Sequence, residues 1–269
     1  MSQERILVER QDGVVIWRFV NPPEGYMDGA SEARLVEVLD AFEQDENARV
    51  AVLTGGQDDV FIRHYDVRVL EERCAKMAAR GLQFSIERPV PEPLLHQCLR
   101  RMEASAKPFI AAMNGTAMGG GFELALACDL RLVQDGPFAL GLPEVNLGLM
   151  PGAGGTQRLP RLIGVAKALE MCLLGRTLSP QEALVWGLAS DCVEGPVLPA
   201  ALAMAQGLAA QSPKALAHIK QSIRSVQALP PDEGLAQERT RFCDLMVDAD
   251  ALRRVARMNR EGLDIRAVS

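Results

Sequence analysis

Three consecutive glycines precede a glutamate near the middle of the chain, in the run Gly119-Gly120-Gly121-Phe122-Glu123. The run lies between a predicted strand and a short apolar helix, where glycines let the backbone approach a bound ligand closely. Unpaired N–H groups at a helix start favour negative charge, so they can hold a phosphate or an oxyanion that develops during a reaction. The run therefore predicts an anion-stabilising turn with an acidic side chain beside it.

A second glutamate, Glu144, follows a proline in an apolar, glycine-rich stretch. A carboxylate among Leu142, Val145 and Leu147 is poorly solvated, which raises its pKa and makes it a useful general acid near neutral pH. Two carboxylates beside backbone N–H donors suit proton transfer next to a polarised carbonyl. Taken alone, each motif also has a structural explanation: a tight turn with Glu123 stabilising the helix dipole, and an exposed loop glutamate.

Several other chemistries find no support in the sequence. The glycine run matches neither G-x-x-x-x-G-K-[ST] nor G-x-G-x-x-G, so a nucleotide-binding module is the least favoured interpretation. The three histidines are far apart in sequence and no H-E-x-x-H occurs, so we expect no metal site. The six cysteines include no C-x-x-C pair and are expected to be reduced thiols.

The composition is that of a globular protein: of 269 residues, 48% are hydrophobic and 24% are charged. A net charge of −6 and an aromatic content of 4% argue against nucleic acid as a partner. Residues 1–13 are charged and are not typical of a secretory signal, and no run of 18 apolar residues occurs. We therefore expect a cytoplasmic protein that does not span a membrane.

Hydrophobic periodicity predicts alternating strands and helices up to about residue 195, followed by a helical region. Strands are expected at 5–9, 14–20, 49–54, 109–113 and 130–133. Helices are expected at 31–45, 67–80, 94–104 and 122–128, from Pro180 onward, and at 197–210, 213–228 and 231–260, with an extended proline-rich loop at 88–93. This pattern predicts an α/β core over residues 1–195 and a helical C-terminal region over 196–269.

The glycine run is part of a longer pattern that resembles a known signature. The run Asn114-Gly115-x-Ala117-x-Gly119-Gly120-Gly121-x-Glu123-Leu124-Ala125-x-x-Cys128-Asp129 is similar to the signature of the enoyl-CoA hydratase/isomerase (crotonase) superfamily. Two further runs, Pro143-Glu144-Val145-x-Leu147-Gly148 and Pro151-Gly152-Ala153-Gly154-Gly155-Thr156-Gln157-Arg158-Leu159, are similar to its second signature, in the same order and near the same spacing. The resemblance spans most of the chain and is strongest between residues 107 and 190.

The resemblance implies a crotonase-like spiral of ββα turns with a C-terminal helical region that forms homotrimers, often paired into hexamers. It also implies an acyl-CoA thioester as substrate and no cofactor beyond the coenzyme A of that substrate. The thioester carbonyl is expected between two backbone N–H groups, which the alignment assigns to Gly120 and Arg63. Glu123 and Glu144 match the two glutamates that hold the added water. The remaining expected substrate-binding residues are His64, Asp66, Gly119 and Gly152.

Both glutamates together favour an enoyl-CoA hydratase-like lyase of fatty acid metabolism. One glutamate deprotonates water, a protonated one supplies the α-proton, and negative charge gathers on the thioester oxygen in between. An isomerase of the same superfamily remains an alternative. An enzyme that cleaves a C–C bond in a β-diketone or CoA ester is another, because large residues stand at Arg63-His64 where the family usually has a small residue and glycine. A non-catalytic scaffold is the alternative from another class, and the retention of both glutamates argues against it.

Overall fold

Short runs rich in valine, isoleucine and leucine form the strands, because such residues suit sheets that are covered on both faces. The structure is a computed structural model and describes residues 4–267. Its strands are β1 (Ile6–Gln11), β2 (Val14–Phe19), β3 (Val50–Gly55), β4 (Asp59–Ile62), β5 (Phe109–Met113), β6 (Gly115–Met118), β7 (Leu130–Gln134), β8 (Leu140–Gly141), β9 (Thr177–Leu178) and β10 (Asp191–Val193).

Helices lie between and after these strands in the chain, and several of them pack buried apolar side chains against the sheets. They are α1 (Gly29–Gln44), α2 (Val67–Ala79), α3 (Leu94–Ala104), α4 (Gly120–Ala127), α5 (Gly155–Ile163), α6 (Val165–Leu174), α7 (Pro180–Val185), α8 (Val197–Ala209), α9 (Pro213–Ser225), α10 (Pro231–Met246) and α11 (Ala249–Glu261). Two 3₁₀ segments, Glu144–Leu147 and Ile265–Ala267, complete the described elements.

The strands form two sheets, and the chain passes repeatedly from the larger to the smaller. Six strands are ordered β1-β2-β3-β5-β7-β10, with β1 and β2 antiparallel and the other neighbours parallel. Four strands form the second sheet in the order β4-β6-β8-β9. Each of β3, β5 and β7 is followed by a strand of the smaller sheet and then by a helical segment. The predicted α/β spiral of ββα turns is therefore confirmed.

One residue, Asn114, makes the crossing from β5 to β6, and its amide joins neighbouring turns of the spiral. Its side-chain oxygen accepts a hydrogen bond from the Gly55 N–H at 2.8 Å, and its Nδ2 donates to the Gln57 carbonyl at 2.8 Å. The next residue must be glycine, since a Cβ on Gly115 would lie 1.9 Å from the carbonyl carbon of Asp59. The crossing thus aligns β6 beside β4 and delivers the chain to the start of α4.

Two apolar cores hold the large sheet in place, one on each face. On one face Trp17, Phe42 and Phe109 meet edge to face with ring centroids 5.3–5.8 Å apart, beneath α1 and α3. On the other face α8 packs Val197, Ala201 and related side chains against the sheet. The predicted boundary near residue 195 lies between β10 and this helix.

Most element predictions are confirmed within a few residues, two differ for identifiable reasons, and several short elements were not predicted. Helix α1 starts at Gly29, two residues before the expected start, because Asp28 caps it by accepting from the Ser31 N–H at 2.8 Å. The predicted helix over 231–260 is two helices, because Asp248 caps a new start and accepts from the Asp250 N–H at 3.0 Å. The elements that were not predicted are β4, β6, β8, β9, β10, α5 and α6, and β6 lies within a glycine-rich stretch for which no strand was expected.

No helix among residues 4–267 combines the length and the apolar character that crossing a membrane requires.

Candidate active site

A cavity of about 450 Å³ opens beside the start of α4 and brings the two signature glutamates together. Its wall is built by the segment after β4, the first turns of α3 and α4, and the loop that runs from Pro143 to Ala153. Apolar side chains from α2 and α3, including Leu70 and Leu95, supply much of the remaining surface. A mostly apolar concavity with a few convergent polar groups is the usual form of a small-molecule site.

Glu123 lies in the first turn of α4 with only 2% of its surface exposed. Its Oε1 accepts two backbone hydrogen bonds, from the N–H groups of Ala153 and Gly155, both at 2.7 Å. Burial raises the pKa of Glu123, whereas these two hydrogen bonds act in the opposite direction because they favour the ionised form. The loop that follows Pro151 thus holds Glu123 as a carboxylate acceptor inside an apolar wall.

That loop is itself fixed by an arginine behind it. Arg158 Nη1 donates to the Ala153 carbonyl at 2.7 Å, and Nη2 pairs with Glu103 at 2.7 Å. The Ala153 peptide is therefore held from both sides, with its N–H on Glu123 and its carbonyl on Arg158. The second signature thus presents backbone N–H donors to Glu123, the glutamate of the first signature.

Glu144 starts the 3₁₀ segment and has the opposite environment. Its Oε2 is buried and has no hydrogen-bond partner within the described part of the chain. Burial, with a further contribution from the charge of Glu123, raises the pKa of Glu144 to about 7. Gly119 leaves room for the carboxyl group, because a Cβ there would lie 3.2 Å from Glu144 Oε1. Near neutral pH the cavity thus holds one glutamate as a hydrogen-bonded acceptor and one with a substantial protonated fraction.

The structure places the two expected donors differently. Gly120 begins α4, and its N–H donates to no acceptor among residues 4–267, as the first N–H groups of a helix have no intrahelical partner. The assignment of Arg63 is wrong, because its N–H donates to the Gly25 carbonyl at 2.9 Å and Arg63 does not line the cavity. Its guanidinium instead donates from Nε to the Glu24 carbonyl at 2.8 Å.

Tyr65 supplies the second N–H that faces Gly120. The Met27 N–H donates to the His64 carbonyl at 2.9 Å, and the Asp66 N–H donates to Met27 at 2.8 Å. In this parallel bridge between Met27 and Tyr65, the N–H and the carbonyl of Tyr65 itself point away from Met27. A Cβ placed on Gly120 would lie 3.8 Å from the Tyr65 Cβ, so the two main chains are close neighbours. The Tyr65 N–H has no acceptor in the described residues.

Only some of the expected substrate-binding residues line the cavity. His64, Gly119 and Gly152 line the cavity, whereas Asp66 does not. The Asp66 carboxylate caps α2 by accepting from the Arg68 N–H at 2.9 Å and pairs with the Arg68 guanidinium at 2.9 Å. The expected contact of Asp66 with substrate is therefore corrected to a structural role.

Two further residues of the wall were missed at the level of sequence. Tyr65 was not among the expected site residues, and His96, in the first turn of α3, was counted only among the three scattered histidines. His96 faces the cavity closely enough that its charge affects the pKa of Glu123. Nothing in the spacing of α3 indicates which of its turns meets a cavity. No group of three or more His, Cys, Asp or Glu side chains within residues 4–267 is arranged to hold a metal ion.

Comparison with known proteins places this site in a family context. The family model for enoyl-CoA hydratase/isomerase matches residues 9–260. The fatty acid oxidation complex subunit alpha of Shewanella oneidensis is 37% identical over 195 residues, which are 71% of this chain and 26% of that protein. The chain thus spans about a quarter of the length of the curated relatives it matches.

Solved structures extend the likeness to the whole fold. DspI of Pseudomonas aeruginosa is 30% identical, with 97% of this chain and 96% of that chain covered and a TM-score of 0.84. An enoyl-CoA hydratase from Bacillus anthracis is 30% identical, with 96% of each chain covered and a TM-score of 0.83. These matches agree with the two-sheet spiral.

Proposed function

Because the chain belongs to the enoyl-CoA hydratase/isomerase family, we propose that it is a hydratase-like lyase that adds water across the 2,3 double bond of an enoyl-CoA thioester. The observation that carries the proposal is the pair Glu123 and Glu144, which face one cavity in opposite environments. Addition of water needs both a base and an acid at the reacting carbons, and one site has to hold them in different protonation states.

In this proposal the thioester oxygen accepts hydrogen bonds from the N–H groups of Gly120 and Tyr65. Glu123, as a carboxylate, takes a proton from water while the water oxygen forms a bond to C3. The electron pair of the double bond moves toward the thioester oxygen, whose developing negative charge the two N–H groups stabilise. Glu144 then delivers its proton to C2, which completes the addition, and solvent exchange restores the starting protonation of both glutamates.

The decisive experiment measures hydration with a panel of enoyl-CoA thioesters that differ in acyl length and substitution. Loss of the conjugated thioester absorbance gives the rate, and mass spectrometry shows the gain of one water. Glu123→Gln and Glu144→Gln should each lower kcat by about 10²–10⁴, the usual contribution of a positioned acid or base. Glu71→Gln, on the exposed face of α2, is the matched control.

The same assays, extended to a cyclic β-diketone as a further substrate, separate the alternatives. An isomerase moves the double bond between the 2,3 and the 3,4 positions without adding water. A C–C bond hydrolase cleaves a β-diketone that a hydratase leaves intact. Hydration that persists nearly unchanged in both glutamate variants would exclude the proposed mechanism. A role in fatty acid oxidation is part of the proposal, and it is supported by the Shewanella relatives over the part of those proteins that this chain matches.

We also propose that the protein assembles as a homotrimer or a dimer of trimers. The helices α9, α10 and α11 leave several apolar side chains more than half exposed in the single chain, namely Ile219, Ile223, Leu235, Phe242, Met246, Leu252 and Val255. Large apolar side chains exposed in this number on three successive helices suit an interface between subunits. Light scattering that gives the 29.2 kDa mass of one chain across a wide concentration range would contradict the assembly.

A further inference from the structure

The proposed hydration assigns no task to His64, yet this side chain lies at the centre of the site. It lines the cavity, and its Cβ lies 3.8 Å from the position that a Cβ of Gly119 would take. Glu144 Oε1 lies 3.2 Å from the same position, so the histidine and the glutamate flank one glycine. A glycine at position 64, as the resemblance leads one to expect, would make no side-chain contact at all.

One ring nitrogen of His64 is committed to the backbone. His64 Nδ1 lies 2.7 Å from the carbonyl oxygen of Tyr65. Because a carbonyl oxygen can only accept, Nδ1 must carry the hydrogen, and the neutral ring then has its lone pair on Nε2. The contact therefore fixes both the tautomer of His64 and the direction of the Tyr65 carbonyl.

The ring is held in that orientation from its face. It stacks on Tyr26 with the ring centroids 4.6 Å apart and an angle of 30° between the planes. Tyr26 is fixed in turn, because Asn21 Nδ2 donates to its carbonyl at 2.7 Å. Stacked aromatic pairs of this geometry add to the stability that their buried area supplies. A continuous set of contacts thus leads from the loop before α1 to the Tyr65 main chain.

From these contacts we propose that His64 is a positioning residue: its Nδ1–H holds the Tyr65 carbonyl and, together with the Met27 N–H bound to the His64 carbonyl, keeps the Tyr65 N–H directed at the thioester oxygen. This inference rests on the proposed function, in which that N–H is one of two oxyanion donors. On its other side the segment is anchored by the bridge with Met27. On the cavity side the His64 contact is the only hydrogen bond to the Tyr65 main chain among the described residues.

Three substitutions separate this role from direct contact with substrate. His64→Ala removes the donor, His64→Asn keeps an N–H donor at the place of Nδ1, and His64→Gln puts one at the place of Nε2. Complete loss of one oxyanion donor lowers kcat by about 10²–10³, so loosening it should lower kcat by about tenfold in His64→Ala, with KM changed by less than about twofold. His64→Asn should recover most of kcat, and His64→Gln should not.

A spectroscopic measurement reports the hydrogen bonds to the carbonyl directly. Raman difference spectra of bound butyryl-CoA, which cannot react, should show the thioester carbonyl stretch at lower frequency than in water for the wild type. The displacement should be smaller in His64→Ala and restored in His64→Asn. Tyr26→Leu should act in the same direction as His64→Ala, because it removes the stacking partner, and Tyr26→Phe is its matched control.

The outcomes distinguish the two proposals. A carbonyl stretch and kcat in His64→Ala equal to those of the wild type would overturn the positioning role while the oxyanion site stands. Equal or better activity in His64→Gln than in His64→Asn would also overturn it, since Nε2 would then be the atom that matters. A wild-type protein that leaves the carbonyl stretch unmoved and hydrates no enoyl-CoA would overturn the proposed function itself. If His64→Ala does not fold, the comparison of the Asn and Gln variants decides alone.

Discussion

Replacing Glu144 with glutamine should change both activity and stability, by amounts that follow from the environment of this side chain. Burial holds the pKa of Glu144 at about 7, against 4.5 for a solvated glutamate. Glutamine keeps the shape of the protonated carboxyl group but can neither ionise nor deliver a proton. If Glu144 is the acid, Glu144→Gln should lower kcat by about 10²–10⁴. The same change should affect the stability of the fold, with a sign that depends on pH.

The sign follows from proton binding in the folded and unfolded states. Between pH 4.5 and about 7 the folded protein keeps the Glu144 proton while the unfolded chain has lost it. The stability that the protonated group contributes is therefore fully present below pH 4.5 and is lost as pH rises to about 7. A difference of one in pKa corresponds to about 1.4 kcal/mol of stability. The rise in the pKa of Glu144 from 4.5 to about 7 therefore corresponds to about 3 kcal/mol. Solvent screening in the open cavity reduces this contribution to about 1–2 kcal/mol.

Glu144→Gln has no ionisation to lose, so it should be more stable than the wild type by about 1–2 kcal/mol at about pH 8 and equally stable at about pH 4.5. Urea unfolding at matched protein concentrations measures this difference. Wild-type kcat should fall as pH rises above about 7, and the residual activity of the variant should lack that decline. Because Glu123, His64 and His96 share the cavity, the profile of the variant is the necessary reference. A variant less stable than the wild type at about pH 8, or a wild-type kcat that does not fall above neutral pH, would refute the assignment.

The remaining predictions concern the backbone around the glutamates. Gly120→Pro removes an N–H, so a folded variant should lose about 10²–10³ in kcat, with Gly120→Ala as the control that keeps the N–H. Arg63→Ala should leave kcat and KM close to the wild type, because Arg63 does not line the cavity, and a large loss in steady-state kinetics would contradict this. Gly121→Ala should lower the free energy of unfolding by about 1–3 kcal/mol or more, because its Cβ would lie 2.3 Å from the Ile62 carbonyl oxygen, and thermal denaturation measures the loss.

Long periodic segments were predictable because their apolar positions report directly on one buried face. Helix α3 is found at 94–104 as expected, and the capping box of Ser179 and Glu182 sets the start of α7. Strand β6 was not predicted, because the close approach of β4 requires glycine at position 115 and glycine is not a residue that indicates a strand. The close contact of β4 and β6 is a long-range feature that a local pattern does not contain.

The wrong assignment of Arg63 as an oxyanion donor also has a geometric cause. Alignment of short motifs counts residues, whereas an oxyanion donor depends on which way an N–H points. The register of β4 against β6 shifts between Val60 and Ile62, and such an irregularity changes the direction of the amides that follow. In the segment that follows, the N–H of Arg63 donates to the Gly25 carbonyl, and the N–H of Tyr65 is the one left toward Gly120. Sequence reasoning identified the segment and missed the residue.

The different environments of the two glutamates arise from one loop. The backbone after Pro151 gives two N–H groups to Glu123 and none to Glu144 in the described residues, although both carboxyl groups face the same cavity. Burial raises the pKa of both groups, and the two hydrogen bonds from this loop lower the pKa of Glu123 alone. The assignment of base and acid in the proposed reaction is thus set by main-chain geometry. A variant that loosened this loop, for example at Arg158, should therefore bring the two pKa values closer together, even though it touches neither carboxyl group.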